Sequence, residues 1–302
     1  LDRTLGFVEM LRGNTAYERG QVEAAIAAYR RALPYFERAN ADDDLAGVYR
    51  GLAALVPPAD AMGLIDAGLA AARRAKNGVT EGQLLHALSD QLFVRGRWAE
   101  ALARVRDALP LLESPRAVLD QARARISLAR LLRFHGDRDD ARAEYDRAGA
   151  LLAGMPRGIG LATAWANLAV GYLYVRAPEQ GIAPAERAIA IARAAGSARD
   201  ETYATLPLLD ALLELKRPAD ALARTNDTPV VGPGARSFVV RRAYALSLVG
   251  RHAEAVQAAD QVDSTEVGWM EAQPRTLALL AEVRRRAGQT ARALEHARGA
   301  VA

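Results

Sequence analysis

The sequence contains no cysteine, which excludes disulfides, thiolate nucleophiles and thiolate metal ligands. That suits a cytoplasmic protein, the expected location. Aromatic residues make up only 6% of the chain, so a core has to be assembled largely from Ala, Leu and Val. The β-branched and aromatic clusters that mark strands are nearly missing. No apolar run approaches the roughly 20 residues of a membrane-spanning helix. Lysine is scarce too: Lys76 and Lys216 are the only two among 40 basic residues. The codon bias of a GC-rich bacterial genome is the expected source of that excess of arginine; the alternative is arginines chosen to fork carboxylates or phosphates. Net charge is +4, with acidic and basic residues interleaved as on solvated helix faces. So small an excess, without aromatic residues between the basic ones, gives nucleic acid little to hold.

What is abundant is Ala, Leu, Arg and Glu, all strong helix formers. Hydrophobic residues reach 51%, and the fold class they predict is all-α. A chain of 302 residues is long for a single compact core. A repeat array escapes that limit because each unit buries its surface only against its neighbours. One pattern does recur. A helix ends at a turn carrying Gly and a charged residue, and a small residue follows the turn residue by five positions. The clearest copies are Gly20 with Ala25, Gly96 with Ala101, Gly136 with Ala141, Gly250 with Ala255 and Gly288 with Ala293. Val56 with Ala61, Arg176 with Gly181 and Lys216 with Ala221 fill the remaining places in register. Successive turns lie 36, 40, 40, 40, 40, 34 and 38 residues apart.

Physical reasons attach to both positions. Glycine at the turn takes the left-handed conformation that ends a helix at low cost. A small residue five places on lets two helices cross closely, with larger knobs such as Tyr29, Val105 and Tyr145 further along the same face. The spacing predicts about eight helix pairs, with units near 1–40, 41–80, 81–117, 118–156, 157–198, 199–231, 232–266 and 267–302. Two of these are irregular. The second carries Pro57-Pro58 at its turn, and the sixth runs into a loop-like stretch, residues 224–236, where its second helix should be short. The array is therefore expected to bend at either joint.

The residues resemble the tetratricopeptide repeat, whose first helix reads W-x2-L-G-x2-Y and whose second carries A-x3-F. Trp165, Leu168, Ala169 and Tyr172 match the first half with Ala for Gly. Ala25 with Tyr29, and Ala141 with Tyr145, match the second with Tyr for Phe. The resemblance implies one right-handed α-solenoid domain over residues 1–302. Its period of about 40 exceeds the usual ~34, the surplus lengthening helices or loops. Such long-period arrays are similar to those of bacterial multidomain signalling proteins, the large transcriptional regulators and the CHAT proteases. A start at Leu1 and a stop inside a helical pattern at Ala302 lead us to expect a piece of a longer protein.

Catalytic chemistry is hard to find. The four histidines, His86, His135, His252 and His296, show no metal-ligand spacing. The glycine-rich stretch from Gly154 to Gly160 lacks the Lys-Ser or Lys-Thr and the preceding strand of a phosphate loop. No serine sits in a nucleophile elbow. The expectation is a non-enzyme with no cofactor and no metal. By the resemblance, the first helices line a concave groove, at fixed offsets before each turn. Carried onto this sequence, the groove positions include His86, Asp90 and Phe93, then Arg123, Arg130, Arg133 and Phe134, then Tyr174, Tyr203 and Asp210. The three arginines on one helix could together fork a carboxylate or phosphate. A chaperone-type carboxylate clamp is a poor match, because Met10 stands where it needs Lys. The leading expectation is an interaction scaffold holding a peptide, a partner protein or another domain of the same chain. The alternative is a ligand-sensing arm that restrains an attached effector.

Overall fold

The structure is a computed structural model that describes residues 1–155, 160–232, 234–263 and 274–301. Most of the Gly154–Gly160 stretch, and Pro233 within residues 224–236, lie outside the described residues. Among the described residues there are sixteen α-helices and no strand. They follow as α1 (Asp2–Glu18), α2 (Val22–Arg38), α3 (Asp42–Ala53), α4 (Pro58–Arg74), α5 (Gly78–Val94), α6 (Trp98–Leu111), α7 (Val118–His135) and α8 (Arg138–Ala153). The second half comprises α9 (Leu161–Tyr174), α10 (Pro178–Ala194), α11 (Ala198–Glu214), α12 (Pro218–Asn226), α13 (Ala235–Leu248), α14 (His252–Asp263), α15 (Pro274–Arg286) and α16 (Thr290–Val301). Two compact units result, Leu1–Ala148 and Gly149–Ala302, with the division inside α8. None of the helices is long and apolar enough to cross a membrane, among the residues described.

The turns stand where the spacing places them. Gly20, Gly96, Gly136, Gly250 and Gly288 all have positive φ. Arg176 and Lys216 occupy the same conformation, at φ 60 and 59, although each carries the Cβ that makes it costly. Lys76 does likewise at the end of α4, with φ 54. The exception is the second pair, where α3 closes through Ala54 in the right-handed region and Pro58 opens α4. Proline suits a first helical turn because its missing N–H has no partner to lose there.

The small residue after each turn is buried in every pair: Ala25, Ala61, Ala101, Ala141, Gly181, Ala221, Ala255 and Ala293. Gly181 shows why size matters, since a Cβ there would lie 3.1 Å from the carbonyl oxygen of Ala169 on the partner helix. In the first pair the close approach is reversed. Gly6 and Gly13 of α1 make room for Phe36 and Tyr29 of α2, whose rings would lie 2.7 Å and 2.6 Å from an added Cβ. The Tyr29 hydroxyl then donates to Asn14 Oδ1 at 2.6 Å. The sixth pair is short as its sequence predicts: α12 has nine residues. An irregular segment replaces its second half, and Thr202 of α11 both donates to Pro229 O and accepts from Val231 N–H.

Candidate functional site

In the first unit, α5 and α7 are the first helices of successive pairs and meet side by side. A residue on α5 faces one about 40 positions later on α7, which sets up a chain of polar and aromatic contacts. His86 Nε2 lies 2.9 Å from Ser127 Oγ, and Ser127 Oγ donates to Asp90 Oδ1 at 3.1 Å. The same carboxylate oxygen accepts from Arg130 Nη2 at 2.6 Å. Arg130 in turn covers the Phe93 ring, its guanidinium carbon 4.2 Å from the centroid, within the range of a cation–π contact.

Aromatic contacts continue the chain. Phe93 meets Phe134 edge to face, with centroids 5.2 Å apart at 71°. Phe134 also touches Trp98 at 5.2 Å and 37°, and Arg133 lies 4.3 Å over its ring. Phe134 is 42% exposed and Trp98 45%, so both side chains remain partly open to solvent. Together with Gly96, Arg97, Ala99, Glu100 and His135 they line a shallow recess of about 380 Å³.

Serine, histidine and aspartate so close together invite comparison with a hydrolytic triad. Their geometry does not support it. Asp90 approaches the same ring nitrogen that meets Ser127, at 3.5 Å, whereas a triad holds the carboxylate on the opposite nitrogen. Ser127 donates its one proton to Asp90, so the hydroxyl does not present that proton to the imidazole as a nucleophile's would be presented. The trio ties two helices together.

Not all the groove positions converge. Arg123 stands apart from the cluster, 3.8 Å from Asp120 on its own helix, whose other oxygen accepts from Gln83 at 2.6 Å. The three arginines therefore do not form one fork: one sits with Asp120, one with Asp90 and one on Phe134. Trp98 is not among the groove positions because it opens α6 and so lies outside the first-helix offsets. A large aromatic side chain directly after the turn at Gly96 was the available signal.

The second unit holds the remaining positions. Tyr174 and Tyr203 are both exposed, and the Tyr203 hydroxyl donates to Asn167 Oδ1 at 2.9 Å. Burial at that contact, with Tyr174 nearby, raises the Tyr203 phenol above its usual pKa. Asp210 is buried. It accepts two hydrogen bonds from Arg241, at 2.9 and 2.8 Å, and lies 3.3 Å from Arg275. Arg275 also bonds Glu214 at 2.8 Å. Burial works against the charge of Arg275, but Asp210 and Glu214 outweigh it and hold the guanidinium pKa above its ordinary value.

No protein-family model and no curated protein matches this chain. Solved structures do. The apo form of RapI superposes with a TM-score of 0.56, covering 98% of this chain and 96% of its own at 12% identity. A Rap protein complexed with competence and sporulation factor gives 0.57 over 92% of this chain and 76% of that one, at 15% identity. The fold is of the tetratricopeptide-repeat type. PilF of Pseudomonas aeruginosa is a third similar structure, with a TM-score of 0.52 and 19% identity over 72% of the repeat array and 90% of PilF. Identities this low speak to the fold alone. Among the described residues of the array, no three His, Cys, Asp or Glu side chains converge as a metal site would need.

Proposed function

We propose that this repeat array is a non-catalytic interaction scaffold, and that its α5–α7 face holds a peptide segment of a partner. The observation that carries this reading is the run of exposed Phe134 and Trp98 rings flanked by Arg130 and Arg133. Aromatic and arginine side chains dominate the energetic centres of protein interfaces. Here their rotamers are set in advance by Asp90 and by stacking, which lowers the entropy lost on binding. The recess beside Phe134 suits one apolar side chain. Arg133, stacked on the Phe134 ring, suits an acidic group next to that side chain. In the second unit, taken by itself, Tyr174 and Tyr203 are exposed aromatic groups on their own surface, while Asp210 serves to hold α11, α13 and α15 together.

Selection of random peptides displayed on phage against the full chain tests the proposal. Selected peptides should carry an apolar residue beside an acidic one. They should lose at least tenfold in affinity on Phe134→Ala with Arg133→Ala, with unchanged helicity by circular dichroism. Failure to select any peptide, or equal binding by that variant, would refute the assignment. A second reading, a sensing arm for a larger signalling protein of bacteria, draws its support from the Rap structure solved with a bound factor. A shift in hydrogen exchange of helices remote from α5–α7 on peptide binding would favour it.

A further inference from the structure

Between α10 and α12 of the second unit the apolar seam expected of packed helices is missing. One side of α12 buries Ala221 and Thr225. The side that lines the gap to α10 carries Arg217, Asp220 and Arg224, the i, i+3 and i+7 positions of a single helix face. Only Ala223 interrupts these charges, with a methyl group that leaves the space unfilled. Charged heads stay in water, so the volume behind them remains open. The result is a cavity of about 170 Å³ between α10, α11 and α12. Its floor is aliphatic: Leu208 and Leu212 are buried, and Ile182 is half-buried.

Two ion pairs stand at the mouth. Arg224 Nη2 donates to Glu186 Oε1 of α10 at 2.6 Å, and Arg217 Nε donates to Asp220 Oδ2 at 2.7 Å. All four side chains are about half exposed, and pairs so exposed contribute little stability. They open to a ligand at little cost. Each guanidinium has used one of its N–H donors in these pairs and has others to offer. The mouth as a whole is neutral, with two positive and two negative groups. A simple anion would also meet the two carboxylates, and a simple cation the two guanidiniums. A zwitterion satisfies both signs. Size sets a second limit. A cavity of about 150 Å³ admits benzene, so this one has room for an apolar group of roughly four to six carbons.

We propose that this cavity binds a free aliphatic α-amino acid of leucine's size. The ligand's side chain rests on Ile182, Leu208 and Leu212. Its carboxylate accepts hydrogen bonds from Arg217 and Arg224, and its ammonium donates to Glu186 and Asp220. Small-molecule sites combine an apolar pocket with a few polar groups that fix orientation. Here those groups come from two helices, which the ligand ties together. The site lies within the second unit, shares no residue with the α5–α7 face and does not rest on the peptide reading.

Equilibrium dialysis of the full chain against radiolabelled L-leucine tests this, and one saturable site is expected. Isocaproate lacks the ammonium, isoamylamine lacks the carboxylate, and free glycine lacks the side chain. Each should compete at least tenfold more weakly than unlabelled leucine. Ala223→Leu fills the cavity from an exposed helix position and should lower leucine affinity at least tenfold, with unchanged far-UV circular dichroism. With Arg217→Gln and Arg224→Gln together, isoamylamine should bind at least as well as to the parent, and leucine no better than isoamylamine. Retained amine binding separates that result from a loss of fold. No saturable leucine binding at millimolar ligand, or equal binding by Ala223→Leu, would overturn the proposal. So would isocaproate competing as well as leucine, since the site would then take a carboxylate and not a zwitterion.

Discussion

Replacing Asp210 with Ala should destabilise the second unit by about 3–5 kcal/mol, the usual cost of leaving half of a buried ion pair behind. The structure shows where that cost arises. The Arg241 side chain is 6% exposed and that of Asp210 is 9%, so water does not replace a lost partner. Removing the carboxylate strands Arg241 Nε and Nη2, while Nη1 keeps its bond to Ser237 O. Each stranded donor on a charged group is worth roughly 1–3 kcal/mol, which is consistent with the total. Arg275 retreats to Glu214 and adds little. Converting both partners together, Asp210→Leu with Arg241→Met, removes the buried charge altogether. It should fall within about 1.5 kcal/mol of the parent. Urea unfolding followed by circular dichroism yields the double-mutant cycle. Hydrogen exchange should locate the loss in α11 and α13. A cost below about 1 kcal/mol for Asp210→Ala would refute the reasoning, as would a double variant whose loss equals the sum of the singles.

Further tests address the helices and their ends. Gly13→Ala drives a Cβ to within 2.6 Å of the Tyr29 ring and should cost about 1–3 kcal/mol by overpacking. Gly63→Ala, at a helical site with nothing within 4 Å, should instead gain up to about 1 kcal/mol from helix propensity; parallel urea melts decide both. Lys216→Gly relieves a left-handed residue that bears a Cβ and should raise stability by up to about 1 kcal/mol, read as a higher midpoint at unchanged slope. The hydrogen bond from Arg31, joined by Arg12, outweighs burial and holds the Glu9 carboxyl below the usual carboxylate range. Its folded pKa thus lies below the unfolded one, so its contribution is complete at neutral pH and is lost as pH falls through the folded value. Glu9→Gln should flatten the acid limb of a stability–pH curve, and an unchanged limb would contradict that.

Much of the fold was legible because its determinants are local. Arg176 and Lys216 lack glycine's freedom, yet register alone placed them at turns, and both are left-handed. The Ala or Gly five places later is buried throughout, and α12 breaks off where proline and glycine accumulate. Contacts between first helices were not legible. Whether Arg130 meets Asp90, or Arg241 meets Asp210, depends on the rotation from one pair to the next. A repeat spacing carries no information about that angle. Arginines at neighbouring groove offsets therefore read as one cluster, although Arg123, Arg130 and Arg133 have three different surroundings.

The scarcity of lysine acquires a use once the turns are known. Lys76 and Lys216 are both exposed, both end a helix in the left-handed conformation, and fall one in each compact unit. Side-chain amine chemistry on this protein is thereby confined to two sites, neither inside a helix nor in the α5–α7 face. A lysine-specific protease meets one lysine bond in each unit. Protection of either bond from that protease on ligand binding would therefore report on one unit at a time, without engineering a single cysteine.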